Sequence, residues 1–447
     1  MREGSLEAPT RHIIDWQNPD YYDEARLDAE MRRAFDICHG CRRCFNLCDS
    51  FPRLFDLVDE GKTGEVDSVE SRDFKDVVDA CTLCDLCFMT KCPYVPPHAF
   101  DLDFPHLMLR YRAVEARRGN ASGIDRELAR TDRNGRIANL VAPLANAATS
   151  RNSALTRAVL SRVAGFDPRA ELPTYAGSPL TRRAQTKAPV VNREAPGFGR
   201  KAVLYATCFD NYNDPEVGLA ARAVLAQNGV ETEVVHPHCC GMPMLEQGHL
   251  ADVARASAIV AAALTPWIDK GYDVIALVPS CALMLKFEWP LIVPGDGDVA
   301  RLAQATFDLS EYVVDIAKKH GMAPGMQPLA GGIALHIACH SRAQNMGQKA
   351  AEMLKLLPQV RIEVIERCSG HGGAWGFKKG HFDSALKVGR PVAKKVAEGG
   401  NVFVTSECPL AGVHILQGVE ALGGKGAALR LVKHPIQLLA MSYGLKF

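Results

Sequence analysis

The stretch "KAVLYATC", residues 201–208, is an apolar run that ends in a cysteine, and "GIALHIAC", residues 332–339, has the same form. A short continuous apolar run of this kind is typical of a strand that is buried on both faces of a parallel sheet. An alanine-rich stretch with helical spacing follows each run, and the first of these ends at Asn228–Gly229. The pattern predicts two strand–helix units of the same design.

Two further strands follow in each unit, and each of them also leads to cysteine. They are "VETEVVHPHCCG" (230–241) and "YDVIALVPSC" (272–281), then "RIEVIERCSG" (361–370) and "NVFVTSEC" (401–408). The cysteines are spaced by 31 and 42 residues in the first unit and by 29 and 40 in the second. This agreement predicts an internal duplication. Copy one is predicted over residues 201–330 and copy two over 331–447.

The strands of such doubly wound sheets end at one edge, where ligands bind. We therefore expect the cysteines of each copy to lie close together at this edge of the sheet and to bind a cofactor. The alternative is that they are buried core thiols, since free cysteine is often buried. The candidate residues are Cys208, Cys239, Cys240 and Cys281 in copy one, and Cys339, Cys368 and Cys408 in copy two.

Two cysteine runs near the N-terminus have a different spacing, "CHGCRRCFNLC" (38–48) and "CTLCDLCFMTKCP" (81–93). Three cysteines at i, i+3 and i+6 can bind three corners of an iron–sulfur cube, and in two-cluster ferredoxins the fourth cysteine ligates the other cluster. Structural zinc, which uses two separated Cys-x-x-Cys pairs, and a disulfide framework are the alternatives. We predict two [4Fe-4S] clusters. The first quartet is Cys38, Cys41, Cys44 and Cys92, and the second is Cys81, Cys84, Cys87 and Cys48.

The predicted fold class is multidomain α+β, with a helical ferredoxin-like module followed by a duplicated α/β region with parallel sheets. The helical module is predicted over residues 1–100, because apolar residues at helical spacing lead into both cysteine runs. Residues 101–200 are predicted as a basic helical segment and a Pro/Gly-rich linker. They carry 17 Lys/Arg against 9 Asp/Glu, whereas residues 1–100 carry 12 against 20. We favour simple packing for this segment, with docking on a partner or an anionic membrane as the alternative.

Composition indicates an ordinary globular chain in a reducing compartment. The net charge of +1 gives no overall attraction to nucleic acid. No apolar run resembles a signal peptide or a membrane span, so 15 cysteines are expected to be ligands or reactive thiols in the cytoplasm. Peripheral association with the inner face of the membrane stays open. No dinucleotide or P-loop glycine motif is seen, so hydride chemistry is expected in another subunit.

The cysteine motifs of the two copies resemble the CCG domains of iron–sulfur oxidoreductases. This family includes the B subunit of heterodisulfide reductase, the iron–sulfur subunit of glycolate oxidase and the C subunit of anaerobic glycerol-3-phosphate dehydrogenase. The resemblance implies up to five cysteines per domain and a further cluster. Copy one has Met284 at the last of these positions, and copy two has Ser369 and Ala411 at two of them. We therefore expect the additional site in copy one, unless His340 or His371 completes copy two.

The resemblance implies an electron-transfer protein or oxidoreductase subunit. It would pass single electrons between a partner flavoprotein dehydrogenase and quinone or another acceptor. The alternatives are a reductase for a thiol, a disulfide or a rubrerythrin-like peroxide-handling partner, and a metal-stabilised binding module without enzymatic activity.

Overall fold

The computed structural model describes residues 9–186, 188–423 and 429–447. Residues 1–8 lie outside the described residues. They begin the N-terminal segment in which we expect no signal peptide. The described chain forms a helical N-terminal part, a helical middle part and two α/β units.

The N-terminal part is helical, as predicted from the apolar spacing; its identity as a ferredoxin-like module stays a prediction. Short 3-10 turns occur at Pro19–Tyr22, Val66–Ser68 and Ser71–Asp73. The helices are α1 (Glu24–Cys41), α2 (Ser50–Asp59), α3 (Phe74–Ala80) and α4 (Leu86–Thr90).

The middle part contains six described helices and an irregular segment. Its residue Leu180 is fully buried against Gly218 of copy one, so this part of the Pro/Gly-rich stretch packs against copy one. The helices are α5 (Phe104–Arg117), α6 (Gly123–Leu128), α7 (Thr131–Leu140), α8 (Ala142–Thr149), α9 (Ala154–Val163) and α10 (Leu180–Thr186).

Copy one contains a four-stranded parallel sheet in the order β2-β1-β3-β4. The central strand β1 is buried after its first residue, as the apolar run predicts. In chain order the elements are β1 (Lys201–Tyr205), α11 (Cys208–Tyr212), α12 (Pro215–Gln227), β2 (Glu231–Val235), α13 (Met242–Leu245), α14 (Leu250–Asp269), β3 (Asp273–Ala276), α15 (Pro279–Leu283), a π-helical turn (Met284–Glu288), α16 (Trp289–Ile292), α17 (Gly297–Ala305), β4 (Thr306–Asp308) and α18 (Leu309–Lys319).

Copy two repeats the same topology, with the parallel order β6-β5-β7-β8. The prediction of two parallel α/β copies is therefore confirmed. The elements are β5 (Ile333–His336), α19 (Cys339–Ala343), α20 (Lys349–Leu354), β6 (Ile362–Ile365), a 3-10 turn (Trp375–Phe377), α21 (Phe382–Glu398), β7 (Phe403–Ser406), α22 (Pro409–Ala421), β8 (Arg430–Val432) and α23 (Pro435–Ser442).

Two large apolar cores join these parts. One combines α1–α5 with one face of the copy-one sheet and its cysteines. The other combines the second face of that sheet with strands and helices of copy two. The cysteines of both copies therefore lie in a part of the structure that is joined to the N-terminal part by shared apolar cores.

Helix α14 is the one described helix that is long and apolar enough to cross a membrane, judged by length and composition alone. Its residues Val253, Val260 and Leu264 are buried in the core that contains the copy-one sheet.

Candidate iron–sulfur and thiol site

The structure brings the four cysteines of the first quartet around one small cavity. Cys38 and Cys41 lie on the last turn of α1, which ends where Arg42 adopts the left-handed conformation (φ 51°). Cys92 arrives from the second cysteine run, as predicted. Burial raises the pKa of the Cys38 thiol well above its usual range, and the nearby thiols of Cys92, Cys44 and Cys41 raise it further.

The second quartet forms in the same way from both runs. Helix α3 ends immediately before Cys81, and α4 begins two residues after Cys84. Burial raises the pKa of the Cys48 thiol well above its usual range, with further contributions from Cys84 and Cys81. The grouping therefore follows the predicted exchange of the fourth cysteine, whereas the ligand role of these residues stays a prediction.

A buried ion cluster supports the loop of the second quartet. Arg11 binds Asp85, the residue after Cys84, at 2.7 Å, and it also binds Asp103 at 2.9 Å and Glu288 at 2.8 Å. Asp85 has a positive φ of 61°, so the loop passes through a conformation that few side chains adopt. The ion cluster fixes that loop against copy one, because Glu288 belongs to the π-helical turn of that copy.

The two quartets and the copy-two thiols are consecutive neighbours. Cys87 of the second quartet interacts electrostatically with Cys44 of the first. Burial raises the pKa of the Cys84 thiol to about 12, and the nearby Cys368 thiol of copy two adds to this effect. Cys339 of copy two also lies close to Cys84. The second quartet therefore lies between the first quartet and copy two.

The four thiols of copy one are close together at the carboxyl edge of its sheet. The Sγ atoms of Cys208 and Cys239 are 3.7 Å apart, and those of Cys240 and Cys281 are 3.2 Å apart. Met284 is fully buried in the same core, at the start of the π-helical turn. The structure thus brings together the residues predicted for copy one.

The cysteines lie slightly further along the chain than the sequence indicates. Strands β1 and β5 end three residues before Cys208 and Cys339, and these two cysteines are the first residues of α11 and α19. Cys408 caps the N-terminus of α22, and Cys281 lies in the first turn of α15. The positive end of a helix favours a thiolate, the ionised form that binds metals.

The second motif of each copy has the same backbone geometry. The N–H of Gly241 donates to the Sγ of Cys239 at 3.4 Å, and the N–H of Gly370 donates to the Sγ of Cys368 at 3.4 Å. Both glycines have a positive φ, and a Cβ on Gly370 would lie 1.9 Å from the carbonyl oxygen of Ala385. Cys239 and Cys368 are therefore equivalent positions.

Copy two does not gain a clear fourth ligand from its histidines. His340 Nε2 lies 3.4 Å from the carbonyl oxygen of Leu83, so the ring faces the second-quartet loop. The His371 ring packs against Phe377 and His414. Burial is the main cause that lowers the pKa of His371 to about 3, and the neighbouring His414 is the second cause. Copy two therefore offers three thiols and a buried neutral imidazole.

Buried carboxyl groups separate the two copies, and sequence reasoning missed them. Burial raises the pKa of Asp210 to about 8 and that of Asp308 to about 6. The Asp210 side chain interacts electrostatically with both Cys281 of copy one and Cys408 of copy two. The Asp210 side chain therefore lies between the thiol site of copy one and that of copy two.

Two residues of the middle part contact the copy-one thiols, which no sequence signal indicated. The Thr131 hydroxyl donates to the Sγ of Cys239 at 3.2 Å. Asp132 accepts the backbone N–H of Cys239, and its other oxygen lies 2.7 Å from Nε2 of His236. These residues are more than 100 positions away in the chain, so only the folded structure shows their proximity.

The donors present fit iron–sulfur groups. Each quartet supplies four thiols, and the first surrounds a cavity whose other lining is mostly apolar. Thiolates in an apolar enclosure are the donors that such clusters require. Among the described residues, no group of three or more His, Cys, Asp or Glu side chains is placed to hold a single metal ion.

Comparison with known proteins gives the family. The cysteine-rich CCG domain matches residues 202–286 and 333–415, one match in each copy. The C subunit of anaerobic glycerol-3-phosphate dehydrogenase from Escherichia coli is 26% identical over 319 residues, which are 70% of this chain and 76% of that protein.

Two further relatives match the chain over shorter lengths. The B subunit of fumarate reductase (CoM/CoB) from Methanothermobacter marburgensis is 26% identical over 251 residues, 55% of this chain and 47% of the relative. Lactate utilization protein A of Geobacillus kaustophilus is 30% identical over 197 residues, 42% of this chain and 78% of the relative. These relatives support a general role in oxidoreductase electron transfer. The chain belongs to the CCG cysteine-rich domain family of iron–sulfur oxidoreductase proteins.

Proposed function

We propose that the chain is an iron–sulfur electron-transfer subunit of an oxidoreductase. Its two N-terminal quartets would each hold one [4Fe-4S] cluster. The chain would pass single electrons between a partner dehydrogenase and quinone or another acceptor. The observation that carries this proposal is the series of neighbouring thiol groups from the first quartet through the second to copy two, with the Asp210 side chain between the thiols of copy two and those of copy one.

The chain's own residues bury and position the ligands. When bound, such clusters accept and release electrons at potentials set by charge, hydrogen bonds and solvent exposure. Arg112 donates to the carbonyl oxygens of Val78 and Cys81, so a cation lies beside the second quartet. The Arg11 ion cluster holds the neighbouring loop. Both are expected to tune the potential of that site.

Copy one is the proposed additional redox or substrate site. It has four thiols, whereas copy two has three, and Ser369 replaces a ligand there. The Thr131 hydroxyl and the Gly241 amide both donate to the Sγ of Cys239, so its thiolate form is stabilised from two sides. The closeness of its sulfur atoms agrees with a shared ligand set.

The test is the metal content and spectroscopy of protein purified without oxygen. We expect at least eight iron atoms and a similar amount of acid-labile sulfide per chain, since two cubane clusters contain eight irons. Visible absorption and EPR after reduction should show the clusters. Zinc with negligible sulfide would contradict the electron-transfer function.

A further inference from the structure

Helices α7, α8 and α9 expose a row of large aliphatic side chains. Two of them are at i and i+3 on α7, one is on α8, and three are at i, i+4 and i+8 on α9. The segment packs on the rest of the chain through other residues, such as Gly135 against Tyr212. The exposed side chains, called the apolar arm here, are each at least 58% accessible: Ile137, Leu140, Leu144, Leu155, Val159 and Val163.

The arm is an ordered surface. The Ser153 hydroxyl donates to the carbonyl oxygen of Ala147 at 2.6 Å, and the Thr156 hydroxyl donates to that of Ala148 at 2.7 Å, which ties α8 to α9. Buried Arg157 then binds carbonyl oxygens of the following segment. The aliphatic side chains are therefore held outward by a fixed backbone.

The segment that carries the arm has charged side chains of one sign only. Residues 133–166 contain no Asp or Glu and five arginines. Arg133 pairs with a glutamate at 2.7 Å, and Arg151 with another at 2.6 Å. Among the described residues, Arg136 and Arg162 have no carboxylate partner, and both are exposed. An anionic surface would therefore find two free guanidinium groups beside the apolar side chains.

We propose that the apolar arm lies on an anionic phospholipid bilayer. Aliphatic side chains beside unpaired arginines are the pattern of a helix that lies in the membrane interface. The proposal concerns binding alone and does not depend on the proposed electron transfer.

Docking at the arm would bring the copy-one site to the membrane surface. The same helix α7 that exposes Ile137 and Leu140 contacts the thiol site through Thr131. Its Gly135 packs so closely on α11 that a Cβ there would lie 2.4 Å from the ring of Tyr212. Helix α7 is thus a rigid link between the bilayer-facing surface and copy one.

The experiment is co-sedimentation of the full holoprotein with vesicles of phosphatidylglycerol and phosphatidylcholine, and with vesicles of phosphatidylcholine alone. We expect binding to the anionic vesicles that weakens as salt is raised. Leu140→Ser with Leu144→Ser should weaken it at least tenfold. Arg136→Gln with Arg162→Gln should weaken it about 25-fold, at about fivefold for each arginine near the surface.

The matched control is Val190→Ser, which removes an aliphatic side chain of 93% exposure outside the arm and should leave binding unchanged. Iron content and circular dichroism check that each variant is folded. Equal vesicle binding by the wild type and both arm variants would overturn the proposal. So would loss of a co-purifying protein without any loss of vesicle binding, since the arm would then be a protein interface.

Discussion

The ion cluster around Arg11 predicts that one N-terminal side chain stabilises the second quartet and its junction with copy one. The Arg11 side chain is 11% exposed, and its partners Asp85 and Glu288 are 6% and 3% exposed. The perturbation is Arg11→Met, which keeps much of the side-chain volume and removes the charge. Among the described residues, His106, 3.1 Å from Glu288, would then be left beside three carboxylates.

The magnitude follows from the burial of these groups. Removing one partner of a buried ion pair costs about 3–5 kcal/mol, because the other charge is left without compensation. For a cooperative unit of 150–250 residues, this corresponds to a decrease of about 6–20 °C in the unfolding temperature. Burial raises the pKa of Glu288, but His106 and then Arg11 lower it to about 2. The ionised Glu288 side chain contributes fully to the free energy of unfolding above about pH 4.5, and this contribution is lost as the pH falls toward 2. The measurement is therefore made at neutral pH.

The assay is thermal unfolding by circular dichroism of the anaerobic holoprotein, with iron retention measured on the same samples. The matched control is Arg26→Met, because Arg26 pairs with Asp20 where both side chains are more than half exposed. Exposed pairs contribute about 0–1 kcal/mol, so this control should hardly change the unfolding temperature. If Arg11→Met and Arg26→Met shift it equally, the structural role assigned to Arg11 is wrong.

Two further predictions concern the thiol groups. Cys92→Ser should damage the first-quartet cluster, and Cys48→Ser should damage the second-quartet cluster. EPR should distinguish the two clusters. If each substitution instead damages the cluster of its own sequence run, the exchange of ligands is wrong. Cys239→Ala with Cys240→Ala should remove iron or electron transfer beyond that of the N-terminal clusters, whereas Cys368→Ala should have the smaller effect. Iron analysis and the electron-transfer rate measure both effects. The reverse result would place the additional site in copy two.

The sequence predicts the architecture where periodicity and spacing are strong. The apolar runs before Cys208 and Cys339 indicate parallel strands, and the structure confirms them. The shortest strands, β4 and β8, were not predicted. Each has three residues, and Thr306–Asp308 reads in isolation as a loop before a helix. Such a strand forms because a neighbouring strand supplies its hydrogen-bond partners, which no local pattern reveals.

The supporting contacts of the site could not be predicted for a different reason. Cysteine identity and spacing mark the candidate ligands, but Asp132 and Arg11 are ordinary charged residues in their local sequence. Arg11 reaches Glu288 across 277 positions, and Asp132 reaches Cys239 across 107. Only the folded chain brings these groups together, and their low exposure then gives their charges energetic weight.

The differences between the two copies follow from their different neighbours. Copy one is covered at its thiols by α7, which supplies Thr131 and Asp132 from outside the duplicated unit. Copy two is covered by the second-quartet loop, which His340 contacts at Leu83. Copy two therefore lies directly against a proposed cluster, so it needs fewer ligands of its own to take part in the proposed electron transfer. Under the proposed function, copy one is a terminal site that must provide its own redox or substrate chemistry, and its four thiols agree with this role.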